Sequence, residues 1–151
     1  MRRLERHQRL PGGPEDVFPF FADALNLERI TPPWLGFRVT TPGTIEMRAG
    51  TLIEYRLRLH RVPVSWLTRI EVWEPPERFV DVQVRGPYRS WHHEHLFTPA
   101  GDGGETLMRD RVDYELPLGP LGDVAHALFV GRDLRRIFDH RTDSVARYFT
   151  K

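Results

Sequence analysis

Two imidazoles two residues apart are the most chemically capable feature of this chain. They lie in Ser90-Trp91-His92-His93-Glu94-His95-Leu96-Phe97. In an extended backbone His93 and His95 then share one face, about 7 Å apart at their Cα atoms. Such a pair can act as general acid and base near neutral pH, ligate a divalent metal, or satisfy buried carboxylates. Cysteine is absent, which excludes thiol nucleophiles, thiolate metal sites and disulfide frameworks and leaves His, Asp and Glu as the strong ligands. Lys151 is the single lysine, so lysine Schiff-base chemistry is disfavoured. Asp81 or Asp110 could complete a metal set with the two histidines. His-x-His alone is a weak metal signature, however, and a cupin-type site would want a Glu where Pro99 and Ala100 stand. Neither metal nor other cofactor is expected.

Other constellations carry less. Gly101-Asp102-Gly103-Gly104 joins two extended runs and precedes no helix, so it reads as a hairpin turn and not as a phosphate loop. Ser65, Ser90 and Ser144 lack a nucleophile-elbow context. Arg132, Arg135, Arg136 and Arg141 alternate with Asp133, Asp139 and Asp143, the pattern of a solvated helix face. Arg2, Arg3, Arg6 and Arg9 fit an exposed first strand. Trp34, in Pro32-Pro33-Trp34-Leu35, reads as a lid over a cavity mouth or as a core plug.

The elements that must position these groups follow from periodicity. A first strand over about 2–10 ends at Pro11-Gly12-Gly13-Pro14. Pro14 then opens a helix whose first turn holds Glu15 and Asp16, suited to the positive helix end. It is interrupted by Pro19, continues or restarts through Ala22 to Ile30, and stops at Thr31-Pro32-Pro33. From Trp34 to Leu116 the period drops to two, with strand-like runs at about 35–41, 50–60, 63–73, 78–86, 88–98 and 105–116. Short turns between them favour an antiparallel meander. After Pro117-Leu118-Gly119-Pro120 a long helix is expected, with Leu121, Val124, Leu128, Leu134, Phe138, Val145 and Phe149 on one stripe. That stripe needs the concave face of the sheet to cover. The expected fold class is α+β: a curved antiparallel sheet of about seven strands wrapped around a long C-terminal helix, with two short helices after the first strand.

Alternation assigns the faces. Met108, Asp110, Val112 and Tyr114 point inward, opposite Arg109, Arg111, Asp113 and Glu115. Ile53, Tyr55, Leu57 and Leu59 form one inner set, and Val64, Trp66, Thr68, Ile70 and Val72 another. Trp91, His93, His95 and Phe97 are placed inside by their aromatics. Over 78–86 pattern alone would bury Val80, Val82 and Val84, but the opposite parity places Phe79, Asp81, Gln83 and Arg85 inward, with Asp81 and Gln83 within cross-strand reach of the histidines. The expected site lining is therefore Tyr55, Trp66, Asp81, Gln83, Trp91, His93, His95, Asp110 and Tyr114. His93, His95 and Asp110 are the catalytic candidates. The polar members could equally satisfy one another as buried structure.

Composition narrows the partners. With 151 residues the chain makes one domain, 1–151, able to bury a full core. Its net charge of +1 gives no drive toward nucleic acid. The amino terminus has no apolar run behind its charges, so neither a signal peptide nor stable membrane insertion is expected, and a cytoplasmic location is the default. A homodimer is left open.

The segments Asn26-Leu27-Glu28-Arg29-Ile30-Thr31-Pro32-Pro33, Gly50-Thr51 with Tyr55, Trp66 with Ile70, Phe79-Val80-Asp81-Val82-Gln83, Gly86-Pro87-Tyr88, Trp91 to Phe97 and Asp110 to Pro117, in this order of elements, resemble the START-related SRPBCC superfamily and its polyketide cyclase/dehydrase-like ligand-binding group. The resemblance spans nearly the whole chain. It implies a helix-grip fold and a mostly apolar cavity between sheet and long helix that holds a lipid, polyketide or aromatic molecule. It carries no catalytic motif onto these positions. The expected function is binding of a hydrophobic small molecule, in a pocket of at least roughly 300 Å³. The alternatives are a cyclase or dehydratase using His/Asp acid–base chemistry in the same cavity, and a regulator that binds a macromolecular partner.

Overall fold

Strand β1, Arg2–Pro11, alternates exposed arginines with half-buried Leu4 and Gln8, the pattern of a strand with one covered face. The computed structural model describes residues 1–150; Lys151, the last residue of the expected domain, lies outside them. Gly13 and Pro14 turn the chain into α1, Pro14–Phe21, where Val17, Phe18, Phe20 and Phe21 are buried. The helix ends soon after Pro19 and restarts as α2, Asn26–Ile30. Asn26 ties the two together by donating from Nδ2 to the Phe20 carbonyl at 2.8 Å.

The strand expected at 35–41 shrinks. Pro33–Leu35 is a 3-10 turn closed by Gly36 at φ 56°, and only β2, Arg38–Val39, remains extended. A left-handed residue ends a turn at no cost for glycine but interrupts any strand. The other strands are β3, Leu52–Leu59; β4, Val62–Glu74; β5, Arg78–Arg85; β6, Ser90–Ala100; and β7, Glu105–Glu115. The sheet order is β1-β7-β6-β5-β4-β3-β2, every pair antiparallel. First and last strands thus pair, and the seven strands curl into a half-barrel. This is the expected helix-grip arrangement.

Inner faces follow the alternation with two corrections. The register of β4 on β5 shifts between Ile70 and Val72, and a bulge reverses which side chains face in beyond it. Trp73, not Val72, therefore enters the core, 5.2 Å from the Phe18 ring. On β5 the set Phe79, Asp81 and Gln83 faces inward, but Arg85, expected with them, is exposed past a second register shift of β4 on β5 between Leu67 and Thr68. Val80 on the opposite face is fully buried as well. Both parities read as core there, which is why pattern alone was divided.

The C-terminal helix is not one stripe. It runs as α3, Pro120–Ala125, a π turn at His126–Val130, and α4, Gly131–Phe149. Leu134, Phe138 and Val145 are buried on the sheet, but Leu121, Val124 and Leu128 are exposed. A π turn adds a residue to the turn, and one residue is about 100° of rotation on a helix, so residues before it do not continue the buried face. Gly131 permits the turn: a Cβ there would stand 2.9 Å from the His126 ring. Gln8 donates to the Thr142 carbonyl at 2.9 Å, and Arg6 pairs with Asp139 at 3.2 Å, fastening α4 to β1. Among the described residues no helix is long and apolar enough to cross a membrane.

Candidate functional site

Antiparallel register brings the ionisable groups together. Asp81 on β5 lies opposite His93, and Asp110 on β7 lies opposite His95. The two imidazoles stack with centroids 3.7 Å apart, and the Phe79 ring stacks on His95 at 3.9 Å. Each imidazole lies between the two carboxylates. His93 Nε2 lies 2.9 Å from Asp110 Oδ1 and its Nδ1 3.7 Å from Asp81 Oδ2. His95 Nε2 lies 2.6 Å from Asp81 Oδ2 and its Nδ1 3.3 Å from Asp110 Oδ1. From α4, Arg141 brings Nη2 to 3.6 Å from the same Asp110 oxygen and 3.5 Å from His95 Nδ1.

Charges in this network settle each other. Burial alone would raise both carboxyls, but Arg141 and the two imidazoles hold Asp110 well below its ordinary value, and the histidines and Arg141 hold Asp81 below its own. His93 is lowered, by burial first and then by neighbouring His95. His95 is raised: burial works against its cation, and the hydrogen bonds to Asp110 and Asp81 outweigh that. Near neutral pH the state favoured is two carboxylates, Arg141, a protonated His95 and a neutral His93. His93 then donates from Nε2 to Asp110 and keeps Nδ1 as an acceptor.

A cavity of about 180 Å³ lies between this wall and α4. Tyr55, Trp66, Asp81, Trp91, His93 and His95 of the expected set line it, among Ile53, Leu57, Ile70 and Phe138. Gln83, Asp110 and Tyr114 do not. The Gln83 amide is spent on the β5–β6 turn, donating to the Tyr88 carbonyl at 2.7 Å and accepting from the Tyr88 N–H at 3.1 Å. Gly86 makes room for it, since a Cβ there would lie 2.5 Å from Gln83 Oε1. Asp110 stands behind the histidines and orients them. Tyr114 Oη meets His126 Nε2 at 2.7 Å and anchors the π turn. Removing that hydroxyl, Tyr114→Phe, should cost about 1 kcal/mol of unfolding free energy in urea titrations; an unchanged midpoint would mean the bond carries no net stability.

Three corrections concern size and arginine. The cavity falls short of the roughly 300 Å³ expected, although it exceeds the about 150 Å³ at which a dry apolar cavity takes up benzene. As it stands it has room for a molecule of one ring and not for a whole lipid or polyketide. Trp34 is not a core plug: it is half exposed and packs on Arg136 and His140 of α4. Arg141, expected on a solvated face, is 9% exposed and lines the cavity. It occurs seven residues after Leu134, and that spacing could have placed it on the buried stripe.

Asp81, His93 and His95 bring three donor atoms within 4.8 Å of one another. The rings stack 27° from parallel, and His95 Nε2 and Asp81 Oδ2 are already hydrogen-bonded at 2.6 Å. The arrangement suits hydrogen bonding better than chelation.

Comparison with known proteins agrees with this architecture. A family model described as polyketide cyclase / dehydrase and lipid transport matches residues 1–150. No curated protein matches the sequence. Among solved structures, the ZhuI aromatase/cyclase from Streptomyces sp. R1128 superposes with a TM-score of 0.77 at 14% identity, over 99% of this chain and 93% of that one. A protein from Chromobacterium violaceum gives 0.75 at 14% identity, over 100% and 99%. A START superfamily protein from Mycobacterium smegmatis gives 0.64 at 14% identity, over 97% and 98%. At such identities the likeness is one of fold.

Proposed function

The chain belongs to the polyketide cyclase/dehydrase and lipid transport family, and on that premise we propose that it binds a small hydrophobic molecule between the sheet and α4. The observation that carries this reading is the cavity itself: an apolar and aromatic hollow with one polar wall, formed where α4 and the inner sheet face leave space unfilled. Interiors normally close such gaps, because every void forfeits dispersion contacts. The polar wall supplies orientation and the apolar remainder supplies affinity. A cyclase or dehydratase reaction would use the same wall, with neutral His93 positioned by Asp110, and its substrate would have to fit the same space.

Mass spectrometry of organic extracts from the purified protein tests the reading. A low-molecular-mass apolar compound should be recovered in proportion to protein. Leu57 is buried at the cavity wall, and Leu57→Trp should fill part of the space. Recovery should fall several-fold while the chain stays folded, since overpacking typically costs about 1–3 kcal/mol. Equal recovery from both proteins would place the compound elsewhere and sink the reading.

A further inference from the structure

The polar atoms of the cavity wall are not equally spent. Among the described residues, two buried side-chain atoms of the lining lack any partner, Arg141 Nε and Trp66 Nε1. Both are N–H donors. On the same wall Asp81 Oδ2 takes His95, and Asp110 behind it takes His93. Arg141 is also weakly satisfied elsewhere, since its contact with Asp110 is 3.6 Å, longer than a strong charge-assisted bond, and protonated His95, 3.5 Å away, offers it no acceptor. A buried guanidinium with an idle donor is costly unless something completes it. What completes it from inside the cavity must accept hydrogen bonds.

From these two idle donors we infer that the molecule held in the cavity is a small aromatic carboxylic acid, its carboxylate seated on Arg141 and its ring against the apolar wall; the inference rests on the ligand-binding reading above. A carboxylate has acceptors only, and its plane matches the guanidinium fork. The ring is set by volume, since about 180 Å³ admits one ring and a short substituent. The flat rings of Phe138, Tyr55 and Trp91 offer faces for it. The added negative charge has an outlet as well. Asp81 and Asp110 balance Arg141 and protonated His95, and His93 is held neutral by burial and by its neighbour. A bound anion beside it favours uptake of a proton there.

Benzoate, benzyl alcohol and toluene separate this inference from the reading beneath it. Each is titrated calorimetrically into the full chain at pH 7.5, where benzoate is ionised. Toluene reports whether the cavity takes an apolar ring at all. Benzoate against benzyl alcohol reports whether the wall selects an acid. The expected result is measurable toluene binding and at least tenfold tighter binding of benzoate than of benzyl alcohol, with the preference lost in Arg141→Met. Should that variant fail to fold, Asp110→Asn/Arg141→Met removes both charges together and should lose the preference likewise. Toluene binding with no acid preference in the wild type, or a preference that survives removal of Arg141, overturns the inference and leaves the cavity reading standing. Failure of all three probes to bind overturns the cavity reading, and the inference with it.

Discussion

Replacing Asp110 with asparagine should cost about 3–5 kcal/mol of unfolding free energy, the range for removing one partner of a buried ionic network. Asparagine keeps the shape and removes the charge. Asp110 is 5% exposed, and one of its oxygens faces His93, His95 and Arg141 at 2.9, 3.3 and 3.6 Å. Three groups thus share one acceptor, and of them only His95 has a shorter bond to another carboxylate, that to Asp81 at 2.6 Å. Domains of this kind are stable by only about 5–15 kcal/mol, so the loss would show in a urea or guanidinium titration. The double variant Asp110→Asn/Arg141→Met should recover a large part, because it no longer leaves a cation without its counterion. A single-variant cost below about 1 kcal/mol, or no recovery in the double variant, would mean that water already serves these groups.

Stability should pass through a maximum near pH 6.5, the ordinary histidine value. Below it the unfolded chain protonates both histidines while the folded protein keeps His93 neutral, because its value is lowered. The unfolded state then binds more protons, and stability falls with pH at up to about 1.4 kcal/mol per unit per proton. His126, also lowered by burial, works in the same direction. Above pH 6.5 the sign reverses. His95 is raised, so its contribution is complete below the unfolded value and is lost as pH rises through the folded one. At the acid end the depressed carboxyls of Asp110 and Asp81 add stability present above their unfolded values and lost as pH falls through the folded ones. Denaturant titrations from pH 3 to 9 should trace a peak with both flanks. In Asp110→Asn the alkaline flank should shrink, since one of the two bonds that raise His95 is gone. A profile that climbs steadily from pH 6 to 9 would contradict this charge assignment.

Much of this site was legible in residue order. Inward parity on β3, β6 and β7 placed Tyr55, Trp91, His93, His95 and Asp110 on one surface, because successive side chains of a strand alternate whatever they later pack against. The choice of Asp81 over the valines of β5 came from its neighbours, and the antiparallel register of β5 on β6 sets it opposite His93. Gln83 shared the parity and still missed the cavity, because a turn two residues on offered its amide both a donor and an acceptor. Trp73 was lost to a bulge, which one unpaired residue creates and no alternation announces.

The sequence by itself determined the order of elements, the inner face of most strands, the absence of thiol chemistry and the family likeness, all of which depend on short-range periodicity or on residue type. Only the tertiary structure decided how large the cavity is and that Arg141 belongs to it. Both are remainders of long-range packing. The volume is what α4 and seven curved strands leave unfilled, and the place of an arginine on a helix depends on what stands opposite: beside solvent it is one more surface charge, and opposite Asp110 it is the cation of the site.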